Sequence, residues 1–185
     1  TLAIFLPLTG VLCVVLLAIL ADQSTINSEA LINSLTMGLV ATFIALLLLL
    51  LWLEWGPQRR QLWLWLPILL PALPLVAGQY TLALWLKLDG SWTAVVWGHL
   101  LWVMPWMLFI LQPAWQRIDS RLILIAQTLG WSRAKIFFYV KCPLMLRPVL
   151  IAFAVGFAVG IAQYMPTLWL GAGRFPTLTT EAVAL

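Results

Sequence analysis

Residues 126–148 read AQTLGWSRAKIFFYVKCPLMLRP, a basic stretch broken by one glycine and two prolines. Six of the ten Lys and Arg residues lie between Pro113 and Pro148. The chain around them is apolar. Of its 185 residues 64% are hydrophobic and 9% charged, with a mean hydropathy of +1.04, against about 25% charged in soluble domains. A backbone in lipid must satisfy its own polar groups, as a helix or a closed barrel. The apolar runs here match the length of spanning helices, about 20 residues, rather than that of alternating barrel strands. The fold class is therefore all-α, a polytopic membrane helix bundle with about five transmembrane helices.

Five apolar stretches are expected to cross: residues 2–20, 31–53, 62–86, 93–112 and 149–170. Alternation between sides places Arg59, Arg60, Arg117, Arg121, Arg133, Lys135, Lys141 and Arg147 on one face. Only Lys87 and Arg174 fall on the other. Basic residues concentrate on the cytoplasmic side of membrane proteins, so the expected orientation has the N-terminus and the basic segment in the cytoplasm and residue 185 outside. Trp52, Trp55, Trp63 and Trp65 bracket the Arg59/Arg60 turn, and Trp85 and Trp92 bracket KLDGS, as interfacial anchors.

Thr1 opens the chain and no Lys or Arg precedes the first apolar run, which is unlike a signal peptide. The chain is read as a piece of a longer polypeptide. Cys13 and Cys142 have no CxxC spacing and read as small packing residues. Pro67, Pro71 and Pro74 predict a kinked or broken third span, serving either as a packing bend or as a wall of a translocation path. Ala152, Gly156 and Gly160 repeat every four residues, the small-residue spacing that lets membrane helices approach closely.

In the basic segment Ile118, Leu122, Ile125, Ala126 and Leu129 form one helical stripe. Asp119 or Ser120 can cap its start, and Gly130 suits a left-handed helix end. Ser132 can cap a second helix over about 133–141, which Pro143 is expected to stop. A DNA-reading helix-turn-helix needs a compact soluble domain and fits poorly, because spanning helices begin within about ten residues on either side. Two readings remain: a helix pair lying on the anionic inner leaflet, and a docking knob for a cytoplasmic partner.

The same residues resemble the EAA loop of permease subunits of binding-protein-dependent ABC importers. That pattern runs Glu-Ala-Ala, three residues, Gly, nine residues, an aliphatic, one residue, Leu-Pro. Here Leu124-Ile125-Ala126, Gly130, Val140, Lys141, Cys142 and Pro143 stand in register, so the second Ala, the Gly, the aliphatic and the Pro match. Leu124, Ile125 and Cys142 depart from it. NSLTMGLVATFIALLLLL at 33–50 resembles the start of the family's core domain, and QYMPTLWLGAG at 163–173 resembles the thiamine and ferric-iron branch, whose permease halves are often fused.

The resemblance implies a first transmembrane helix with an external loop over 1–30 and a permease core lacking its last helix over 31–185. It implies coupling to an ATPase through Ala126, Gly130, Ser132, Val140 and Pro143 in the 117–142 loop. The implied partners are a cytoplasmic ABC ATPase dimer, a periplasmic solute-binding protein, a second permease half and the lipid bilayer of a bacterial inner membrane, with no nucleic acid and no cofactor. The chain has no GxxxxGK[ST] loop, so ATP hydrolysis is assigned to the partner and the subunit is not an enzyme. His99 lies inside the fourth span, where a neutral hydrogen-bonded imidazole and a functional group are both open readings. Asn33, Ser34, Gln79, Tyr80, Gln163 and Tyr164 lie toward the outer ends of their spans, either lining a solute path or meeting water. A secondary transporter or a membrane assembly protein whose basic loop rests on lipid is the competing class; a transporter of that kind needs mid-membrane coupling groups, for which His99 is the single candidate.

Overall fold

Residues 28–56 and 62–184 are described by a computed structural model, in which the apolar segments form helices and no strand occurs among the described residues. In chain order these are α1 (Ser28–Trp55), α2 (Leu62–Leu69), α3 (Ala72–Trp85), α4 (Trp92–Gln116), α5 (Ser120–Thr128), α6 (Arg133–Ile161), α7 (Met165–Leu170) and α8 (Leu178–Ala184). The expected first span, Cys13 and the Arg59/Arg60 pair lie outside the described residues.

Among the described residues α1, α4 and α6, of 28, 25 and 29 residues, are the helices long and apolar enough to cross a membrane. At about 1.5 Å per residue even the shortest exceeds a hydrocarbon layer of about 30 Å. Ser91 starts α4 by accepting from the Ala94 amide at 3.2 Å. The third span breaks as its prolines predict: Pro71 has a non-helical ψ of 140° and separates α2 from α3. Pro74 falls in the first turn of α3, where its missing N–H has no helical partner to lose.

Two expectations are corrected. Pro143 does not stop a helix at residue 141, and the fifth span is not 149–170. Helix α6 runs unbroken from Arg133 to Ile161 through a π-helical turn, Phe137–Lys141. A proline ring clashes with the carbonyl four residues before it, and a π turn immediately upstream widens the ladder there, so Pro143 is accommodated. At the far end the chain leaves α6 at Ala162 and resumes as the separate α7.

Helices α1, α4 and α6 pack on one another, with α4 the most enclosed. Their shared core holds Ala45, Leu49 and Leu53, Val103, Met107, Leu108 and Leu111, and Met145 and Ala152. A second cluster of Met37, Ala83, Ala94, Val95 and Leu170 joins α1, α3, α4 and α7. Leu39, Phe43, Leu47 and Leu51 on α1, with Leu146 and Leu150 on α6, stay exposed, as a lipid-facing exterior requires. Trp85 is also exposed, whereas the buried indole N–H of Trp52 has no partner, so Trp52 does not behave as a water-facing anchor.

Ala152, Gly156 and Gly160 are all buried on α6. A Cβ on Gly160 would lie 3.2 Å from the Gly38 Cα of α1, so these two backbones nearly touch. No side chain there can move aside. Gly160→Val is therefore expected to force α1 and α6 apart and to destabilise the purified protein by about 1–3 kcal/mol. Gly78→Ala on α3, where a Cβ meets nothing within 4 Å, should be neutral or stabilising. Thermal unfolding in detergent compares the two, and an unchanged transition in Gly160→Val would contradict the close approach.

Candidate functional site

The segment between α4 and α6 is built from local signals. Asp119 begins α5 by accepting from the Arg121 amide at 2.9 Å. The helix ends at a left-handed glycine, Gly130, with φ of 75°. The Gly130 amide donates to the Gln127 carbonyl at 2.9 Å, and the Trp131 amide to the Ala126 carbonyl at 3.1 Å. This bond pair is the Schellman arrangement, which satisfies the last carbonyls of a helix. Ser132 starts α6 by accepting from the Lys135 amide at 3.3 Å. The turn therefore brings Ala126, Gly130 and Ser132 together, while Val140 falls in the π turn and Pro143 just beyond it.

Of the apolar stripe on α5, only Ala126 is buried, and Ile118 packs against the main core. Leu122, Ile125 and Leu129 are exposed, as is Leu124 at the motif's glutamate position. Trp131 receives the Lys135 ammonium 4.6 Å from its ring centroid and meets Tyr139 edge-on at 6.2 Å.

The start of α6 is fixed by a residue that the sequence reading did not single out. Glu54, next to last in α1, has a side chain only 1% exposed. Its Oε1 accepts from Arg133 Nε at 2.8 Å and its Oε2 from Lys141 Nζ at 2.5 Å. Arg133 also donates to the Glu54 carbonyl. The Lys141 ammonium lies 4.9 Å from the Trp115 ring and the Arg133 guanidinium 6.0 Å from the Trp55 ring. Between the two cations, buried Phe137 packs against Trp55 at 5.4 Å and Trp115 at 6.3 Å. One carboxylate thus holds the first residue of α6 and the last residue of the π turn against the ends of α1 and α4. Eight residues of regular α-helix turn through about 800°, which would leave positions 133 and 141 about 80° apart. The extra residue in the π turn takes back most of that offset, so both cations reach one carboxylate. A signal was present in the sequence: Glu54 is an acidic residue closing an apolar helix on the strongly basic face.

The residues suggested for a solute path have separate surroundings. Asn33 Nδ2 donates to the Pro176 carbonyl at 3.1 Å, and Ser34 Oγ accepts from the Leu178 amide at 2.9 Å. The Gln163 carbonyl accepts from Thr167 and Thr179 hydroxyls. These ties hold the 176–179 segment to α1 and to the end of α6. His99 is buried, with Nδ1 2.8 Å from the Val95 carbonyl of its own helix. Gln79 is buried with Oε1 unpaired. Tyr80 packs edge-on against Trp169. A small apolar cavity lies elsewhere, at the π turn, lined by Leu50, Trp115, Phe137, Cys142, Met145, Leu146 and Val149. No group of three or more metal-ligating side chains occurs among the described residues.

The helical bundle thus carries a helix–glycine–helix segment that is gripped at the start of α6 and exposed along α5. Residues 60–184 match the binding-protein-dependent transport system inner membrane component family, and the chain belongs to that family. It is similar to the spermidine/putrescine transport system permease protein PotC homolog of Mycoplasma genitalium, 31% identical over 100 residues that cover 52% of this chain and 34% of that protein. The homolog of the same description from Mycoplasma pneumoniae is 31% identical over 87 residues, 47% of this chain and 30% of the relative. The chain thus spans about a third of the length of the curated relatives it matches.

Gly130 needs φ > 0 but has open space around it. A β-branched residue there costs roughly 1–2 kcal/mol, whereas asparagine tolerates the left-handed region. Gly130→Val is expected to speed amide exchange across 126–132, with Gly130→Asn close to wild type. Equal protection in both variants would show that the turn does not depend on the left-handed glycine.

Proposed function

We propose that this chain is a membrane-spanning permease component of an ATP-driven importer, and that α5 and the start of α6 form the element on which a cytoplasmic ATPase docks. The observation that carries this reading is the exposure of Leu122, Leu124, Ile125 and Leu129 on a helix held at both ends by its own caps. The row of Leu122, Ile125 and Leu129 on this short helix, next to basic Arg117, Arg121 and Lys135, suits burial in a groove of another protein, with Leu124 on the opposite face. A helix merely resting on lipid would not need the Gly130 turn, nor the clamp that locks the next helix beneath it.

The basic segment then faces the cytoplasm. The far ends of the spans, with the 86–91 and 162–178 connections, face a periplasmic binding protein. Gly90 donating to the Leu170 carbonyl at 2.9 Å ties these two outer connections together. ATP hydrolysis belongs to the docked ATPase, and a second permease half completes the path across the apolar exterior of α1 and α6. The ATPase and the binding protein act by favouring one or other of two conformations through contacts that differ between them. The polyamine in the relatives' names does not carry over from these residues. The acids of the described residues, Glu29, Glu54, Asp89, Asp119 and Glu181, lie at helix ends, in loops or in the short α8, and Glu54 is occupied by two cations.

The test is co-purification of the ATPase with the importer assembled around this chain. Ile125→Glu and Leu129→Glu, both at exposed positions, should release the ATPase at least tenfold more readily, with membrane insertion and unfolding temperature unchanged. Retention of the ATPase by both variants would sink the docking assignment and favour the lipid-resting alternative.

A further inference from the structure

We infer that Glu54 is the positioning residue that transmits movement of the docking segment into the membrane helices. The inference rests on the reading that α5 and the start of α6 receive an ATPase. Helix α5 itself has one buried side chain, Ala126, and one half-buried, Ile123, and is otherwise exposed. Force applied there reaches the membrane helices by two routes: the 117–119 link to α4, where Ile118 packs on the main core, and whatever grips the start of α6. The structure assigns that grip to one carboxylate, bonded to Arg133 ahead of the π turn and to Lys141 at its end.

Three features make this a transmitting contact rather than a surface ion pair. First, the Glu54 side chain is 1% exposed and the Lys141 side chain 13%, so the pair is shielded from the water that makes exposed pairs weak. Second, the carboxylate belongs to α1 and the cations to α6, while Trp115 of α4 stacks on one cation, so the three membrane-crossing helices meet at a single point. Third, the motif's acidic position is an exposed leucine, Leu124, so α5 has no carboxylate there. The carboxylate that acts on this loop comes from inside the bundle. A shift of the start of α6 with α5 must either carry α1 with it, chiefly through the enclosed Lys141 bond, or leave the buried Glu54 short of a partner.

The test uses the importer assembled around this chain, with its ATPase and binding protein, in liposomes. Solute taken up per ATP hydrolysed is measured alongside ATPase retention and unfolding temperature. Glu54→Gln keeps the shape and removes the charge. The expected result is retained ATPase with uptake per ATP reduced at least tenfold. Uptake per ATP at the wild-type level would overturn the inference. Loss of the ATPase at an unchanged unfolding temperature would overturn it as well, because Glu54 would then maintain the docking surface rather than transmit from it. Should Glu54→Gln fail to assemble, Glu54→Asp decides. It keeps the charge but shortens the reach, and a several-fold fall in uptake per ATP is expected, whereas a wild-type ratio refutes the role. Failure of the docking reading is distinguishable: Ile125→Glu and Leu129→Glu would then retain the ATPase whatever the behaviour of Glu54.

Discussion

A carboxylate buried where helices leave the apolar layer cannot remain unpaired, because the desolvation of an isolated charge costs several kcal/mol. Glu54 meets this constraint by drawing Arg133 and Lys141 onto its two oxygens. Much else follows from that pairing. It fixes the level at which α6 starts, goes with the π turn that aligns positions 133 and 141, and leaves Phe137 between Trp55 and Trp115. The two contacts are not equal. Arg133 is 63% exposed and its share is screened by water, while Lys141 is enclosed and stacked on Trp115, so Lys141 holds the carboxylate more firmly.

The clamp divides the molecule into a firm part and a yielding part. Below it, α1 and α6 approach until the Gly38 and Gly160 backbones nearly meet, and α4 fills the remaining side with Met107, Leu108 and Leu111. Beyond it, α5 is held by its own caps and contributes one buried side chain, Ala126. An element with few buried contacts can follow a partner at low cost, and an element gripped by a buried ion pair passes the displacement on. At the opposite end the contacts are mostly neutral: Asn33 and Ser34 to the 176–178 backbone, and Gly90 to Leu170. Such bonds seal the connections on that side without a charge.

The sequence made the local devices legible. Asp119 and Ser132 as caps, Gly130 as the left-handed end and the break at Pro71 each depend on residues within a few positions of one another. Family membership followed the same stretch of residues, now matched over 60–184. The clamp was not legible, because Glu54 is 79 residues from Arg133 and 87 from Lys141, and nothing in a single sequence pairs groups so far apart. The end of the second helix was misplaced for a related reason. Pro143 carries the usual signal of a helix stop, and the widened turn that neutralises the signal lies in the 133–141 stretch whose two cations meet the distant carboxylate. His99, Gln79, Asn33 and Gln163 are all polar residues of apolar spans, yet three-dimensional placement gives each its own surroundings.

A double-mutant cycle in thermal or denaturant unfolding, using Glu54→Gln, Lys141→Gln and the double variant in the detergent-solubilised protein, addresses the clamp most directly. Either single change leaves a buried group short of its partner, and the second change then removes a group already unpaired. The losses should therefore be strongly non-additive, with a coupling energy of about 1–3 kcal/mol. Losses that add to within about 0.5 kcal/mol would show that the two side chains do not act as a pair, and that the start of α6 is held by Phe137 and its aromatic neighbours alone.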